Sequence, residues 1–146
     1  MSGIVCAIRG GPSSASTITQ AVTLAKETGL PLYFLYVVNL DFLSRAGTTR
    51  KHTISEEMAE MGEFILLSAQ ATASERGVSA EGIVRQGSVE EKIIELSNEL
   101  DADYVLLGQP QDKTAENVFS QERLKAFAQR IEQNTNAQVI FPEAQP

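Results

Sequence analysis

The chain has 146 residues, 42% of them hydrophobic and 21% charged, which is typical of one globular domain. Its 19 acidic residues outnumber the 12 basic ones, so duplex nucleic acid and anionic membranes are not expected partners. The single cysteine excludes an internal disulfide, and no apolar run approaches the ~20 residues of a membrane span. The amino terminus shows no leader pattern, and we expect a cytoplasmic protein.

The first predicted elements are a strand and a helix. Residues 4–8 form a continuous apolar run, typical of a strand that is buried on both faces of a parallel sheet. Ser13 and Ser14 are candidate N-caps of the helix that follows. We expect this helix to end at Gly29, because glycine takes the left-handed conformation of a helix C-cap at little cost.

A second buried strand and a long helix come next. The strand covers residues 32–38, and an irregular loop is predicted for residues 39–51. Thr53 and Glu56 form a capping-box pattern, which predicts that the helix begins there and ends near Gly77. Four apolar residues at helical spacing predict the face that packs into the core, namely Met58, Met61, Ile65 and Ala69.

The remaining elements complete a regular alternation. Residues 81–86 predict a third strand, and Ser88 with Glu91 predicts a capping box for the next helix, residues 89–100. A fourth strand over residues 103–107 precedes a polar stretch from 109 to about 116. A last helix carries Leu124, Phe127, Ala128 and Ile131, and residues 138–142 predict a final strand.

Strands and helices that alternate in this way predict an α/β fold with a parallel sheet between two layers of helices. We expect one domain over residues 1–146, with an open, doubly wound sheet of five strands in the order 3-2-1-4-5. Ligands of such sheets bind beyond the carboxyl ends of the strands, where the strand order reverses. The segments 9–14 and 108–118, which follow strands one and four, are therefore the candidate site.

Four segments of this chain resemble the universal stress protein family. They are residues 4–8 with the Gly-Pro/Ser turn that follows, residues 35–38, residues 84–88 and residues 101–108. The last segment, Ala-Asp followed by aliphatic residues and a glycine, is the most specific. The resemblance implies a Rossmann-like fold of the adenine-nucleotide alpha-hydrolase type. It also implies that many relatives bind ATP, that others do not, and that dimers commonly form through the last strand.

The sequence departs from the ATP-binding pattern of that family at each position that can be compared. Arg9 stands where the family has an aspartate that meets the adenine. Gly108 matches the first glycine of the Gly-x2-Gly-x9-Gly-Ser/Thr loop, but Gln111, Gln121 and Glu122 replace its remaining residues. No glycine follows Gly108, and Pro110 lacks an amide donor. We therefore expect no ATP bound in the family manner.

Few other residues suggest chemistry. Arg9 with Gly10 and Gly11 forms either an anion-binding turn at a helix N-terminus or a tight turn with a solvent-facing arginine. His52 is interpreted as an exposed loop residue, and Cys6 as a small buried hydrophobe. Paired carboxylates are explained by helix caps, and no metal site or catalytic residue is predicted.

Two functions remain open. The first is a non-catalytic stress-response or regulatory protein without a cofactor, which acts through protein contacts or an unidentified small ligand. The alternative is a nucleotide-binding protein, for ATP or AMP, or a weak ATPase with a rearranged site. The candidate ligand-binding residues are Arg9, Gly10, Gly11, Val38, Gly87, Gly108, Gln109, Lys113 and Ser120. The candidate homodimer interface comprises Gln138, Val139, Ile140 and Phe141.

Overall fold

A computed structural model describes residues 2–9, 13–39, 48–108 and 115–141. Five parallel strands alternate with four helices, which confirms the predicted order of elements. The strands are β1 (Ile4–Ala7), β2 (Leu32–Val38), β3 (Ala80–Gln86), β4 (Tyr104–Leu107) and β5 (Gln138–Ile140). The helices are α1 (Ser13–Thr28), α2 (Thr48–Glu75), α3 (Val89–Leu100) and α4 (Ala115–Asn134).

The sheet has the predicted order β3-β2-β1-β4-β5, with β1 at its centre. Alternate side chains of a strand point to opposite faces, so the buried strands supply two separate cores. Ile4 and Cys6 belong to the core beneath α1 and α2, whereas Val5 belongs to the core beneath α3 and α4. The parallel register aligns Val5 with Tyr33 on one side and with Val105 on the other.

The segment before β4 forms hydrogen bonds with the residue that precedes the central strand β1. Asp101 ends α3 in the left-handed conformation, with a φ of 51°. The Asp103 carboxylate accepts a hydrogen bond from the Gly3 amide at 3.1 Å, while the Asp103 amide donates to the Gly3 carbonyl at 2.8 Å. The two aspartates of this segment therefore have structural roles in helix termination and strand alignment.

Two predicted helix starts are wrong in detail, and a third is right but lacks its predicted cap. Helix α2 begins at Thr48, so Thr53 and Glu56 lie inside it and cannot form a capping box. Ser88 does occupy the N-cap position of α3, but its side chain makes no capping hydrogen bond. Ser13 and Ser14 both lie inside α1, and the Ser14 hydroxyl donates to the carbonyl oxygen of Arg9.

The predicted core face of α2 is confirmed for Met58, Ile65 and Ala69, which lie in the core or pack against it, and is wrong for Met61, which is 59% exposed. Leu66 and Ala73 are further buried residues of this face. Gly62, not Met61, is the residue of that turn that packs against the sheet, because it lies directly over the ring of Tyr36. Within the described ranges, no helix is both long and apolar enough to cross a membrane.

Candidate functional site

A cavity of about 460 Å³ opens at the carboxyl ends of β1, β2 and β4. The strand order reverses at this point: from β1 the chain adds β2 and β3 on one side of the sheet, and then β4 and β5 on the other side of β1. Apolar side chains dominate the described part of its wall, including Ala7, Ile8, Leu35, Val37, Leu107 and Phe127. The cavity can therefore enclose an apolar or aromatic group of a small ligand.

Two arginines supply the charge of this cavity. Arg9 lies just beyond β1 and Arg123 lies in α4, and both are exposed residues in its wall. Neither guanidinium forms an ion pair with any residue in the described ranges, and no carboxylate belongs to the described wall. Unpaired guanidinium groups beside an apolar surface favour a ligand that combines an anionic group with an apolar body.

The structure places the predicted site residues in different surroundings. Arg9 and Gly108 both belong to the cavity wall. Val38 is only 1% exposed and lies in the core, while its neighbour Val37 faces the cavity. The Gly87 amide donates to the carbonyl oxygen of Val38 at 3.0 Å, outside the cavity wall.

The other predicted ligand residues stay predictions. Gly10, Gly11, Gln109 and Lys113 lie outside the described residues, and Ser120 lies within α4 with its side chain not described.

Packing within the fold is a reason for glycine at position 108, apart from any role in ligand binding. A Cβ atom built on Gly108 would lie 3.2 Å from the hydroxyl oxygen of Thr17, which is tighter than an ordinary contact. Thr17 is buried in α1, so it has little room to move away. The close approach of β4 to α1 therefore explains this glycine without any phosphate.

Sequence reasoning missed the contribution of α4 and α2 to the cavity. Arg123 and Phe127 are four residues apart and so share one face of α4, which turns towards the strand ends. Met58 of α2 reaches the same wall. The spacing of Arg123 and Phe127 was visible in the sequence, but nothing in it related that face to strands more than fifteen residues earlier.

The remaining titratable groups give no catalytic arrangement in the described residues. His52 lies on α2 rather than in the predicted loop, and its Nε2 is 3.0 Å from the Glu56 carboxylate, with both side chains exposed. The Ser55 hydroxyl donates to the Gln86 side chain at 2.9 Å. No group of three potential metal ligands occurs within the described ranges.

Burial raises the pKa of the Cys6 thiol far above its ordinary value of 9.0. Above pH 9.0 the unfolded chain loses this proton and the folded chain keeps it, so stability falls as the pH rises. We expect the stability advantage of wild type over Cys6→Ala to shrink by roughly 1 kcal/mol between pH 8 and pH 10. Urea unfolding of both proteins at each pH measures this change. An advantage that stays constant would contradict the buried, protonated thiol.

One backbone donor at the outer edge of β5 is already occupied by a side chain of the same molecule. β5 pairs only with β4 in the described sheet, and the Gln138 amide donates to the Asp103 carbonyl at 2.9 Å. The next amide, of Val139, donates instead to the carboxylate of Glu132 in α4, at 3.0 Å. Glu132 therefore occupies the backbone donor that an added strand would use.

Comparison with known proteins agrees with this architecture. The profile of the Universal stress protein family matches residues 1–140. A search of curated protein sequences finds no significant match. A solved protein from the universal stress protein family of Burkholderia pseudomallei is 20% identical, with a TM-score of 0.71 over 97% of this chain and 96% of that one.

Two other solved structures hold nucleotides. A universal stress protein in complex with cAMP is 17% identical, with a TM-score of 0.71 and coverage of 99% of this chain and 98% of that one. The universal stress protein from Archaeoglobus fulgidus in complex with dAMP is 16% identical, with a TM-score of 0.63 and 98% coverage of both chains. These likenesses establish the fold, and the profile match over nearly the whole length establishes that the chain belongs to the universal stress protein family.

Proposed function

We propose that this protein is a non-catalytic stress-response regulator that does not hold ATP through a glycine loop. Two observations carry the proposal: the structure has an apolar cavity with Gly108 in its wall, and the sequence contains no glycine after Gly108. Backbone amides converge on phosphates where residues adopt left-handed conformations, and glycine does so at little cost. Asp112, Glu116 and Glu122 add negative charge to the same part of the chain.

The composition of the cavity wall supports a binding role rather than catalysis. Among the described residues its polar side chains are Arg9, Tyr36, Asn39 and Arg123, and it includes no carboxylate, histidine, serine or cysteine. General acid–base chemistry needs a group that titrates near neutral pH within reach of the substrate. The two guanidinium groups bind anions but do not exchange protons at that pH.

A second candidate function is binding of an adenine nucleotide that carries one phosphate. It is favoured by an apolar cavity beside two arginines that form no ion pair with a described residue, and by the cAMP and dAMP held in two solved relatives. One phosphate needs fewer donors than a triphosphate, and two arginines can supply them. Arg9 and Arg123 would bind the phosphate in this arrangement, and the apolar wall would enclose the base.

Thermal unfolding with ATP, AMP and cAMP, each at millimolar concentration, separates these functions. The first proposal predicts no rise in Tm with ATP and no phosphate release from it, since a ligand that binds only the folded chain must stabilise it. A rise of several degrees with ATP, or steady hydrolysis, would overturn this proposal.

The second function predicts a rise in Tm with AMP or cAMP. Titration calorimetry should then show about tenfold weaker binding for Arg9→Ala and for Arg123→Ala, because each loses a charge-assisted hydrogen bond. Lys125→Ala is the control, since Lys125 is an exposed cation on α4 outside the described cavity wall. Absence of any adenylate binding by the unchanged protein would end the second function.

We also propose a homodimer through residues 138–141, related by a twofold axis. Dimers are common in this family, and β5 is an edge of the described sheet. Strand pairing at this edge requires Glu132 to release the amide of Val139. Glu132→Ala should therefore strengthen the dimer, and Val139→Pro, which removes that donor, should abolish pairing at this edge. Sedimentation equilibrium measures both; a dimer that is unaffected by either substitution forms elsewhere.

A further inference from the structure

Helix α2 carries an exposed apolar stripe on the face that points away from the sheet. Met61 is 59% exposed, Phe64 is 74% exposed and Leu67 is 65% exposed. They are the only large hydrophobic residues with such exposure in the described ranges, and their spacing of three places them along one side of α2. The core contacts of α2 come from other positions, so these three side chains are not needed to hold the monomer together.

The stripe is large enough to matter for association. At about 200 Å² for each large side chain, the exposed fractions amount to about 400 Å² of apolar surface per copy. Patches of this size on monomers commonly mark interaction sites. A standard interface buries about 800 Å² per partner, so the stripe would supply about half of that area and its flanks would have to supply the rest.

A groove of about 290 Å³ runs beside the stripe, between α1 and α2. Ile18 of α1 and Phe64, Ile65 and Ser68 of α2 belong to its wall. A flexible apolar side chain, such as that of methionine, fits an irregular groove of this kind. The exposed Met61 of one copy can therefore enter the groove beside the stripe of another copy.

The charges of α2 favour a second copy in the opposite direction. Glu56, Glu57, Glu60 and Glu63 lie in the middle of this helix, Arg50 and Lys51 lie near its start, and residues 64–74 carry no charge. Two parallel copies of α2 would oppose four carboxylates with four others. An antiparallel arrangement, which twofold symmetry produces, places Glu56 and Glu57 of each copy against the uncharged segment 64–74 of the other.

One alignment of two antiparallel α2 helices pairs side chains both at the ends and at the centre of the helix. With the twofold axis between positions 62 and 63, Met61 of one copy lies against Phe64 and the groove of the other. Arg50 of one copy then lies opposite Glu75 of the other, because the two positions are equally distant from the axis. Both are exposed and form no ion pair with a residue in the described ranges. At a crossing angle near 20°, their long side chains can meet.

We propose that α2 is a self-association surface, on which two copies of this chain pack antiparallel with Met61 against Phe64 and Arg50 against Glu75. This contact is independent of the proposed pairing through β5, while the groove shares Arg9 with the wall of the ligand cavity. A protein with both twofold contacts forms assemblies larger than a dimer.

The main test uses the Val139→Pro chain, in which pairing through β5 is removed. Sedimentation equilibrium should still show a dimer, and adding Phe64→Ser should raise its Kd at least thirtyfold, as expected for a central hydrophobic contact. Circular dichroism checks the fold, which Phe64→Ser should not change because Phe64 is exposed. A Val139→Pro chain that is monomeric at about 100 µM, or a Kd that Phe64→Ser leaves unchanged, would overturn the proposal.

Charge exchange tests the register. Arg50→Glu and Glu75→Arg should each weaken the dimer by about fivefold to tenfold, and the double exchange should restore it to within about twofold. Lys125→Glu and Glu27→Arg make the same charge changes on other helices and should leave the Kd unchanged. Loss of affinity without recovery in the double variant would contradict the antiparallel register.

Cross-linking provides a measurement that does not depend on Val139→Pro folding. Met61→Cys and Phe64→Cys proteins, mixed and oxidised, should form a disulfide between unlike chains faster than either forms alone. Cys6 is fully buried and does not compete. Equal rates in the mixture and in the separate proteins would exclude the proposed contact.

Discussion

Replacing Phe34 with alanine is expected to lower the free energy of unfolding by about 3–5 kcal/mol. Phe34 has no exposed surface, lies in β2 next to the central strand β1, and is among the largest fully buried side chains. Its removal takes an aromatic ring out of the core beneath α1 and α2 and leaves a cavity that closely packed neighbours cannot fill.

Phe64→Ala is the matched control, because it deletes the same atoms from an exposed position on α2. Its cost in an isolated monomer should stay within about 0.5 kcal/mol. Urea unfolding at low protein concentration compares the two variants without any contribution from self-association. If the two substitutions differ by less than about 1 kcal/mol, the assignment of Phe34 to the core and Phe64 to the surface is wrong.

Gly62→Ala should destabilise the protein, although alanine is the better helix former. In an ordinary helix interior this substitution stabilises by about 1 kcal/mol. Here a Cβ atom would lie closer than 3.0 Å to three ring atoms of Tyr36, which is itself only 8% exposed. Displacing that ring, which three close contacts require, costs about 2–3 kcal/mol, so we expect a net loss of about 1–2 kcal/mol in unfolding free energy.

A double-mutant cycle with Tyr36→Ala identifies the cause. Without the ring, the added methyl group of Gly62→Ala meets no obstacle, and the substitution should become neutral or stabilising by up to about 1 kcal/mol. The coupling between the two positions should therefore be about 2 kcal/mol. Equal effects of Gly62→Ala in both backgrounds would show that the helix and β2 are not in the close contact described.

The sequence alone was enough to predict the architecture. Each strand of a parallel sheet is buried on both faces, so it appears as a short continuous apolar run that local composition can reveal. The sequence also predicts that α1 ends at a glycine in the left-handed conformation, and Gly29 has a positive φ of 73°. The order of the strands follows from right-handed crossovers and the family pattern, and the structure confirms it.

Helix starts and the exposed face of α2 were less predictable. The pattern Thr53 to Glu56 is a capping box only where a helix begins, but residues 48–52 contain no glycine or proline and continue the helix upstream. Met61 has the spacing of a core residue, yet Gly62 takes the position nearest the sheet because Tyr36 fills the space above β2. Local pattern does not report how large the neighbouring strand's side chains are.

What the sequence by itself determined is therefore the fold, the family and the end of the sheet at which the candidate cavity lies, beyond β1 and β4. Only the tertiary structure decided which side chains meet there: Arg123 and Phe127 join Arg9, and Val37 rather than Val38 faces the cavity. It also decided that Glu132 covers the amide of Val139. The physical reason is that a local pattern of apolar residues reveals which segments are buried. Which side chains meet at a site depends instead on the face that each strand residue points to and on the rotation of each helix about its axis, and packing between distant segments decides both.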